Sequence, residues 1–341
     1  MALRPARSRP RTPPISVNPA NAGTHGNGVG AVGAPLQPRV PVGPGVRRDD
    51  GEGVGGTFRR SRVVTPAAPA TPTIPAALAA AAARFAFSAT PRLDAELLMA
   101  HALGVDRNAL LLNPDRAVPP SFAALVERRA VHEPVAYITG TRGFWSIDLA
   151  VGPGALVPRA DSETLIDAAI AQFAGRPPDR ILDLGTGPGT LLLAALAEWP
   201  EATGLGIDAS ADALAYARQN AKALGVEARA AFALGNWGEG IAERFDLVLA
   251  NPPYVATGDH LPAEVRDHEP AAALFAGADG LDDYRLLAPQ LPALIAPGGA
   301  AVIEIGADQG TAVTTLLTAA GLKARTYRDL GGRDRCLVAT P

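Results

Sequence analysis

Beyond about residue 178, short apolar runs typical of buried strands alternate with longer segments of helical period in this 341-residue chain. This alternation predicts a parallel sheet wrapped by helices. The predicted strands are residues 180–184, 204–208, 229–233, 245–250, 300–305, 324–327 and 335–339, and the predicted helices are residues 189–198, 211–224, 284–295 and 309–320. The connection before the last strand, at Gly331 and Gly332, is too short for a helical crossover. Strand seven should therefore run antiparallel to its neighbours.

The first 74 residues are rich in Pro, Gly, Ala and Arg and have almost no periodic apolar pattern. Such a segment cannot bury enough surface to offset its ordering entropy, so we expect residues 1–74 to be disordered. A dispensable tail or a mis-assigned start codon explains them better than a transit peptide, because prolines and glycines interrupt an amphipathic helix.

Residues 75–134 have a helical period and predict a small helical-bundle domain. Thr90 and Pro91 are suited to open one helix, Gly104 to end it, and Ser121 to cap another. In the helix after Pro91, one face that is expected to pack carries Leu93, Leu97, Ala100 and Leu103. Residues 135–157 contain two short β-like runs, 137–140 and 144–149, which predict a hairpin linker. The final domain is then predicted to span residues 158–341.

Composition narrows the possible chemistry. The single cysteine, Cys336, excludes internal disulfides and favours a reducing compartment, which predicts a cytoplasmic protein. No apolar run is long enough to cross a bilayer, and the five scattered histidines predict no metal site. Residues 1–62 carry ten arginines and three acidic residues, which leaves 21 basic and 31 acidic residues, a balance of −10, for residues 63–341. This balance disfavours direct binding of nucleic acid.

The predicted strand at 245–250 runs into Asn251, Pro252, Pro253 and Tyr254. Two prolines end the strand in a stiff corner, because neither has a backbone N–H. An amide, two prolines and a tyrosine offer no nucleophile and no strong base, but they can hold a planar NH2 group by its hydrogens and its face. The structural alternative is that Asn251 caps a loop and Tyr254 only packs. We predict a catalytic and substrate-binding site at these four residues.

The strand at 180–184 runs into a glycine-rich turn that opens the next predicted helix. Its spacing is G-x-G-x-G, and Thr190 stands where a dinucleotide fingerprint has its third glycine. Asp183, two residues before the first glycine, would repel a pyrophosphate and suits an ammonium group. At the end of the second strand, Asp208 can accept hydrogen bonds from ribose hydroxyls. The turn consists of Gly185, Thr186, Gly187, Pro188 and Gly189.

Asp183, Asp208 and the corner at Asn251 together predict S-adenosylmethionine as the cofactor, against the alternative of a structural turn with a surface aspartate. Trp237 can cover the adenine face and groups near Asn236 can contact its edge, although a tryptophan is often a core residue. Seven strands with a reversed last strand are the plan of Rossmann-like methyltransferases rather than of nicotinamide dehydrogenases. The predicted fold class is α/β: a Rossmann-like seven-stranded S-adenosylmethionine-dependent methyltransferase domain with a small N-terminal helical bundle.

With these residues placed, residues 75–341 resemble the PrmC/HemK family, the protein glutamine N5-methyltransferases that modify peptide chain release factors. The segments that carry the resemblance are P-R-L-D-A-E (91–96), E-P-V-A-Y-I-T-G (133–140), F-W (144–145), V-P-R-A-D-S-E (157–163), the glycine turn with Asp183, N-P-P-Y (251–254) and E-P-A-A-A-L (269–274). Three positions depart from the family pattern: Ala160 replaces a usual second proline, Ser162 a threonine and Asn236 an aspartate.

The resemblance implies a substrate and a mechanism. The substrate is the glutamine of the Gly-Gly-Gln motif of release factors, with the helical domain and the hairpin as the docking surface. The Asn251 side-chain oxygen and the Pro252 main-chain carbonyl accept the two N–H bonds of the glutamine amide, while Tyr254 packs on its plane. Because the sulfonium reagent is already activated, positioning and electrostatics carry most of the catalysis.

Two other functions remain possible on the residues alone. An adenine-N6 DNA or RNA methyltransferase uses the same N-P-P-Y corner, but it needs a base-flipping pocket and a basic track. A binding protein that has lost activity would not need an intact turn, acid and corner. Glu304 can be buried and hydrogen-bonded or face the cleft, and Arg159 and Glu163 can order the linker against the site. The oligomeric state and the accepted release factors are left open.

Overall fold

The computed structural model describes residues 72–341, which lie within one compact unit, Thr71–Pro341. Disorder is predicted for residues 1–74, and of these residues 1–71 lie outside the described part of the chain. The first helix begins at Ile74, and its N-cap residue Thr73 accepts a hydrogen bond from the Ala76 N–H at 3.4 Å. The domain boundaries proposed from the sequence stay predictions.

Helices and strands succeed one another along the described chain, with short 3₁₀ turns at Ala160–Ser162 and Ala271–Ala273. The helices are α1 (Ile74–Arg84), α2 (Pro91–Leu103), α3 (Arg107–Leu112), α4 (Ser121–Ala130), α5 (Val135–Thr139), α6 (Glu163–Gln172), α7 (Thr190–Glu198), α8 (Ala211–Ala223), α9 (Ala263–Arg266), α10 (Asp282–Leu287), α11 (Leu291–Leu294) and α12 (Gly310–Ala319). The strands are β1 (Thr141–Phe144), β2 (Ile147–Ala150), β3 (Arg180–Leu184), β4 (Thr203–Asp208), β5 (Ala230–Leu234), β6 (Phe245–Ala250), β7 (Ile295–Glu304), β8 (Lys323–Arg328) and β9 (Asp334–Thr340).

Helices α1 to α5 pack around an apolar cluster that includes Phe85, Leu98, Met99 and Phe122. The predicted packing face of α2 was wrong in part, since Leu93 is exposed while Leu98 and Met99 are fully buried. The reason is that acidic residues are also buried on this helix: Asp94 pairs with Arg129 at 2.8 Å. A face that hides paired charges cannot be found from apolar spacing alone.

In this region the predicted end of α2 is confirmed, whereas neither of the side chains predicted to cap a helix N-terminus does so. Gly104 ends α2 in the left-handed conformation, as expected. Thr90 precedes α2 but makes no side-chain capping bond, because its hydroxyl interacts instead with the Asp94 carboxylate at 3.0 Å. Ser121 is the first residue of α4, and the cap position belongs to Pro120.

The hairpin begins later than predicted. Residues 137–140 are not a strand: Val135–Thr139 forms α5, and Gly140 ends it in the left-handed conformation. Strands β1 and β2 pair antiparallel directly after it, with Phe144 opposite Ile147. Three consecutive residues of α5, Ala136, Tyr137 and Ile138, are buried, so the run carries no period that distinguishes a short helix from a strand.

The main sheet has the strand order β5-β4-β3-β6-β7-β9-β8. β9 runs antiparallel to both of its neighbours, β7 and β8, while the other strand pairs of this sheet are parallel, which confirms the reversal predicted for strand seven. Leu184 at the end of β3 is in register with Ile207 on β4 and with Ala250 on β6. The carboxyl ends of these three strands therefore meet at one edge, where the strand order changes direction and α/β proteins bind their ligands.

The largest departure among the predicted helices lies before β7. The predicted helix 284–295 is two short helices, α10 and α11, and β7 already begins at Ile295. Pro292 stands in the first turn of α11, a position where its missing N–H is tolerated, so it marks a new helix start rather than a helix interior. Across residues 72–341, no helix combines the length and apolar character needed to cross a bilayer. The cytoplasmic location stays a prediction.

Candidate active site

A cavity of about 380 Å³ opens at the sheet edge where β3, β4 and β6 end. Its volume lies in the range of small-molecule and cofactor sites. The predicted site residues that line it are Asp183, Gly185, Thr186, Gly187, Pro188, Asp208, Asn236, Trp237, Asn251 and Pro253. Three predicted residues lie outside this lining: Gly189, the buried Pro252 and Tyr254, which lines a second cavity with Arg159 and Glu304.

The glycine turn is held in a conformation that only glycine adopts easily. Gly185 has φ +72°, and a Cβ atom there would lie 3.3 Å from the Trp237 ring. Gly189 has φ +88° at the N-cap of α7, where a Cβ atom would lie 2.7 Å from the Leu193 side chain. Because Gly189 closes the turn onto the helix rather than facing the cavity, its role is to shape the turn.

Asp183 lies at the floor of the cavity with 1% of its surface exposed. Its Oδ2 accepts hydrogen bonds from the Thr186 hydroxyl at 2.6 Å and from the Leu192 N–H at 3.1 Å. Its Oδ1 has no donor among the described residues. Burial raises the pKa of this carboxyl to about 7, although the two hydrogen bonds oppose the rise. A cavity-lining carboxyl group with one unpaired buried oxygen fits a cationic ligand group such as the ammonium of a methionine moiety.

Asp208 ends β4 on the next side of the cavity. Its Oδ2 accepts the Gly187 N–H at 2.7 Å, and its Oδ1 accepts the Ser210 N–H at 2.8 Å. Each carboxylate oxygen can accept a further hydrogen bond, so the side chain is fixed in place and can still bind the hydroxyls of a ribose. The bond to Gly187 also ties the glycine turn to β4.

Trp237 and Asn236 close the far side of the cavity. Trp237 adopts a left-handed backbone with φ +51°, which is unusual for a bulky residue, and its ring lies against Gly185. Burial raises the pKa of the neighbouring Asp283, and an interaction with the Trp237 side chain opposes that rise. The Asn236 side chain is exposed and donates to Glu239 at 3.1 Å.

The proline corner after β6 is fixed by side chains that are distant in sequence. The Asn251 amide nitrogen donates to the Ser162 hydroxyl at 3.2 Å. The Tyr254 hydroxyl donates to the Glu304 carboxylate at 3.3 Å, and burial raises the pKa of this phenol. The Tyr254 main-chain carbonyl accepts a hydrogen bond from the Gln309 side chain at 3.0 Å. The corner is therefore rigid on both its backbone and its side-chain faces.

Ser162, Glu269 and Asp283 were not singled out as site residues in the sequence. Arg159 pairs with Glu269 at 2.5 Å, and Glu269 also accepts the Val157 N–H at 3.1 Å, so residues 157–159 are held against the segment beyond the corner. Glu163 accepts the Trp145 N–H at 2.8 Å and ties the hairpin to α6. The only sequence signal for these contacts is that most of them fall within the segments 157–163 and 269–274, which carry the family resemblance.

Comparison with known proteins identifies the family. Residues 76–140 match the family described as PrmC N-terminal domain, and residues 177–316 match a methyltransferase domain. A release factor glutamine methyltransferase of Rhodospirillum rubrum is 49% identical over 73% of this chain and 78% of its own length. The chain belongs to the release factor glutamine methyltransferase family. A second family member, from Caulobacter vibrioides, is 45% identical over 73% of this chain and 89% of its own length.

Family membership confirms the resemblance stated from the sequence, the methyltransferase fold and S-adenosylmethionine as the cofactor. Among solved structures, a ribosomal protein L11 methylase from Lactobacillus delbrueckii subsp. bulgaricus is 20% identical, with a TM-score of 0.42 over 56% of this chain and 83% of that chain.

Proposed function

We propose that this protein transfers the methyl group of S-adenosylmethionine to the side-chain amide nitrogen, N5, of the glutamine in the Gly-Gly-Gln motif of peptide chain release factors. The observation that carries this proposal is that Asn251 lines the same cavity as Asp183, one of whose carboxylate oxygens has no hydrogen-bond partner among the described residues. A residue suited to hold an amide and a residue suited to hold the methionine end of the methyl donor therefore share one site.

Three groups are proposed to hold the cofactor. Asp183 Oδ1 binds its ammonium, which supplies the missing partner of that oxygen, and Asp208 accepts its ribose hydroxyls. Trp237 covers one face of its adenine, since the ring already lines the cavity beside the glycine turn. Bound there, the cofactor supplies an activated methyl group on a sulfonium.

The proposed work of the protein is to orient the glutamine amide, whose nitrogen is a poor nucleophile because its lone pair is delocalised. The Asn251 nitrogen donates to Ser162, which leaves the Asn251 oxygen to accept one N–H of the substrate. The Pro252 carbonyl accepts the other N–H, and Tyr254 excludes water from one side. The amide nitrogen held in this way would accept the methyl group that the cofactor supplies, and the extra N–H proton would leave to water afterwards. Positioning rather than strong base catalysis carries the reaction.

Replacing Asn251 by alanine tests this assignment. The variant is expected to lose methyl transfer by a factor of about 10² to 10³, as for loss of one preorganised hydrogen-bonding group. Its affinity for S-adenosylmethionine should change much less, since Asp183 and Asp208 are untouched. Mass spectrometry of release-factor peptides gives the first quantity and calorimetric titration the second. Unchanged turnover in the variant would overturn the assignment of the corner.

The helical region before the hairpin is proposed to dock the release factor, as the family resemblance implies. A whole release factor should then have a lower KM than a short peptide that contains only the Gly-Gly-Gln motif, with a similar kcat. Equal KM values would refute this docking role. Direct binding of nucleic acid is not expected, because the net charge of residues 63–341 is −10.

A further inference from the structure

A buried carboxylate stands behind the proline corner. Glu304 ends β7 with 1% of its surface exposed. The Tyr254 hydroxyl donates to its Oε1 at 3.3 Å, whereas its Oε2 has no donor at hydrogen-bonding distance and angle among the described residues. An unpaired carboxylate oxygen in the protein interior is costly, so its presence beside a catalytic corner calls for a role.

Ser162 lies between Glu304 and Asn251. Its hydroxyl oxygen accepts the Asn251 amide N–H at 3.2 Å, and its hydroxyl is close enough to Glu304 to lower the pKa of that carboxyl. The serine is itself 2% exposed, so bulk water does not compete for its hydrogen. A hydrogen bond from the Ser162 hydroxyl to the Glu304 carboxylate would complete a chain of hydrogen bonds from Asn251 through Ser162 to Glu304.

This chain of hydrogen bonds has a direction. An ionised carboxylate can only accept hydrogen bonds, so the single hydrogen of Ser162 must point toward Glu304. The serine oxygen is then left as an acceptor, and only the NH2 end of Asn251 can bind it. The oxygen end of Asn251 is thereby turned away from Ser162 and remains available for the substrate.

Without the carboxylate, the direction is no longer enforced. A Ser162 hydroxyl that donates to Asn251 would bind the oxygen end of the side chain and stabilise the flipped amide. The flipped side chain would present its NH2 group to the NH2 group of the substrate, and two donors repel. Both orientations occupy the same volume, so packing does not discriminate between them.

We propose that Glu304 is a positioning residue, which acts through Ser162 to select the orientation of Asn251 that accepts a hydrogen bond from the substrate amide, and which holds the Tyr254 ring beside it. This inference rests on the proposed role of Asn251 in gripping the substrate. Glu304 touches neither the substrate nor the cofactor in this scheme.

Charged and titratable groups from several elements face Glu304. Arg335 on β9 favours the ionised form, and Asp161, which pairs with Arg335 at 3.0 Å, opposes it. Cys336 is the ladder partner of Glu304, and the Tyr284 hydroxyl donates to the Glu304 main-chain carbonyl at 2.8 Å. Burial is the largest effect and raises the pKa of the Glu304 carboxyl to about 7.

The test compares four variants with the wild-type enzyme: Glu304→Gln, Ser162→Ala, Ser162→Thr and Cys336→Ala. In Glu304→Gln, kcat is expected to fall by about 10² or more, as for loss of one preorganised group, with little change in cofactor affinity. Ser162→Ala should also lower kcat, and Ser162→Thr, which keeps the hydroxyl, should restore most of the lost turnover. Cys336→Ala disturbs the same pair of strands but leaves the hydrogen-bonded side chains of Asn251, Ser162 and Glu304 unchanged, so it should lower stability but not kcat.

The pH dependence separates a positioning role from a structural one. At saturating cofactor and substrate, wild-type kcat should rise with pH through about 7, because the direction of the chain requires the ionised carboxylate. Glu304→Gln should lose this dependence as well as most of its turnover. Saturation with cofactor keeps the titration of Asp183 out of the measured rate.

The outcomes are distinguishable. Wild-type kcat and an unchanged pH profile in Glu304→Gln, together with an inactive Asn251→Ala enzyme, would overturn the positioning role and leave the proposed function standing. An active Asn251→Ala enzyme would overturn the proposed function itself. If Glu304→Gln does not fold, the comparison of Ser162→Ala with Ser162→Thr decides the question. Equal kcat values in those two variants would contradict the proposed chain of hydrogen bonds.

Discussion

Replacing Asp183 by asparagine is expected to strengthen the cofactor-free fold and to weaken cofactor binding. The asparagine oxygen can accept the bonds from Thr186 and Leu192 that Oδ2 now accepts. Its NH2 group then takes the place of the unpaired Oδ1. The substitution removes a buried charge and at the same time turns an acceptor into a donor.

The gain in stability follows from the carboxyl pKa. Burial raises this pKa from 3.8 in the unfolded chain to about 7 in the fold. The stability that the group contributes is full below its unfolded pKa and is lost as the pH rises toward the folded pKa. About three units at 1.36 kcal/mol each give a penalty of about 4 kcal/mol at pH 8, which is an upper limit for the gain in Asp183→Asn. At pH 5 most of the gain should vanish.

The loss in affinity follows from the missing acceptor. A hydrogen bond that involves a charged group contributes about 1.5 to 3 kcal/mol, so the dissociation constant for S-adenosylmethionine should rise roughly 10-fold to 150-fold. The donor that now faces the ammonium adds repulsion, which favours the upper part of that range.

Denaturant unfolding of the cofactor-free wild type and Asp183→Asn, at about pH 5 and pH 8, measures the stability difference. Titration calorimetry at pH 8 measures the affinity. Glu304 also titrates near pH 7 but is present in both proteins, so its contribution cancels in the difference. A variant that is less stable than wild type at pH 8, or that binds the cofactor as tightly, would refute the account of Asp183.

Two further substitutions test the surroundings of the site. In Gly280→Ala, the new Cβ atom would lie 2.3 Å from the Tyr254 carbonyl oxygen at a backbone φ of +70°, so the corner must shift. Thermal unfolding should show a loss of about 1 to 3 kcal/mol, and kcat should fall with it; an unchanged kcat contradicts a rigid corner. In Arg129→Met, Asp94 loses its buried partner and Glu264 loses a bond of 2.7 Å. Denaturant unfolding should show a loss of about 3 to 5 kcal/mol, and a loss below 1 kcal/mol would show that the pair is not buried in solution.

The part of the site built from strand ends could be predicted, because the relevant signals are local. A proline pair ends β6, a glycine turn follows β3, and an acid ends β4, and parallel register alone brings these three ends to one edge. The reversal of β9 was equally local, since a short glycine connection forbids a crossover. Each of these features follows from the backbone properties of a few residues that are adjacent in sequence.

The side chains that support the corner could not be predicted. Ser162 precedes α6 and Glu304 ends β7, and only the folded sheet brings Ser162 to Asn251 and Glu304 to Tyr254. Nothing in the spacing of these residues indicates a contact. Glu304 was left open between burial and the cleft for this reason, and the structure shows it buried with one bond to Tyr254.

The predictions of secondary structure and of the buried helix face were wrong where buried positions do not recur with a regular spacing along the sequence. In the run 137–140 the neighbouring residues Tyr137 and Ile138 are both buried, so burial does not alternate, and the helical state depends on the left-handed stop at Gly140 and on packing against the other helices. The buried face of α2 was misplaced because Asp94 and Glu96 are buried through ion pairs with Arg129, Arg92 and Arg107. Tertiary pairing of charges overrides a pattern of apolar spacing.

The central claim is that the acceptor is the amide nitrogen of a release-factor glutamine. The most direct test incubates the enzyme and S-adenosylmethionine with a release factor and an adenine-containing oligonucleotide in one reaction, followed by fragmentation mass spectrometry of both. One added methyl group on the glutamine of the Gly-Gly-Gln motif, with an unmodified oligonucleotide, is the predicted result. A methylated adenine, or a methyl group on any other release-factor residue, would contradict the account.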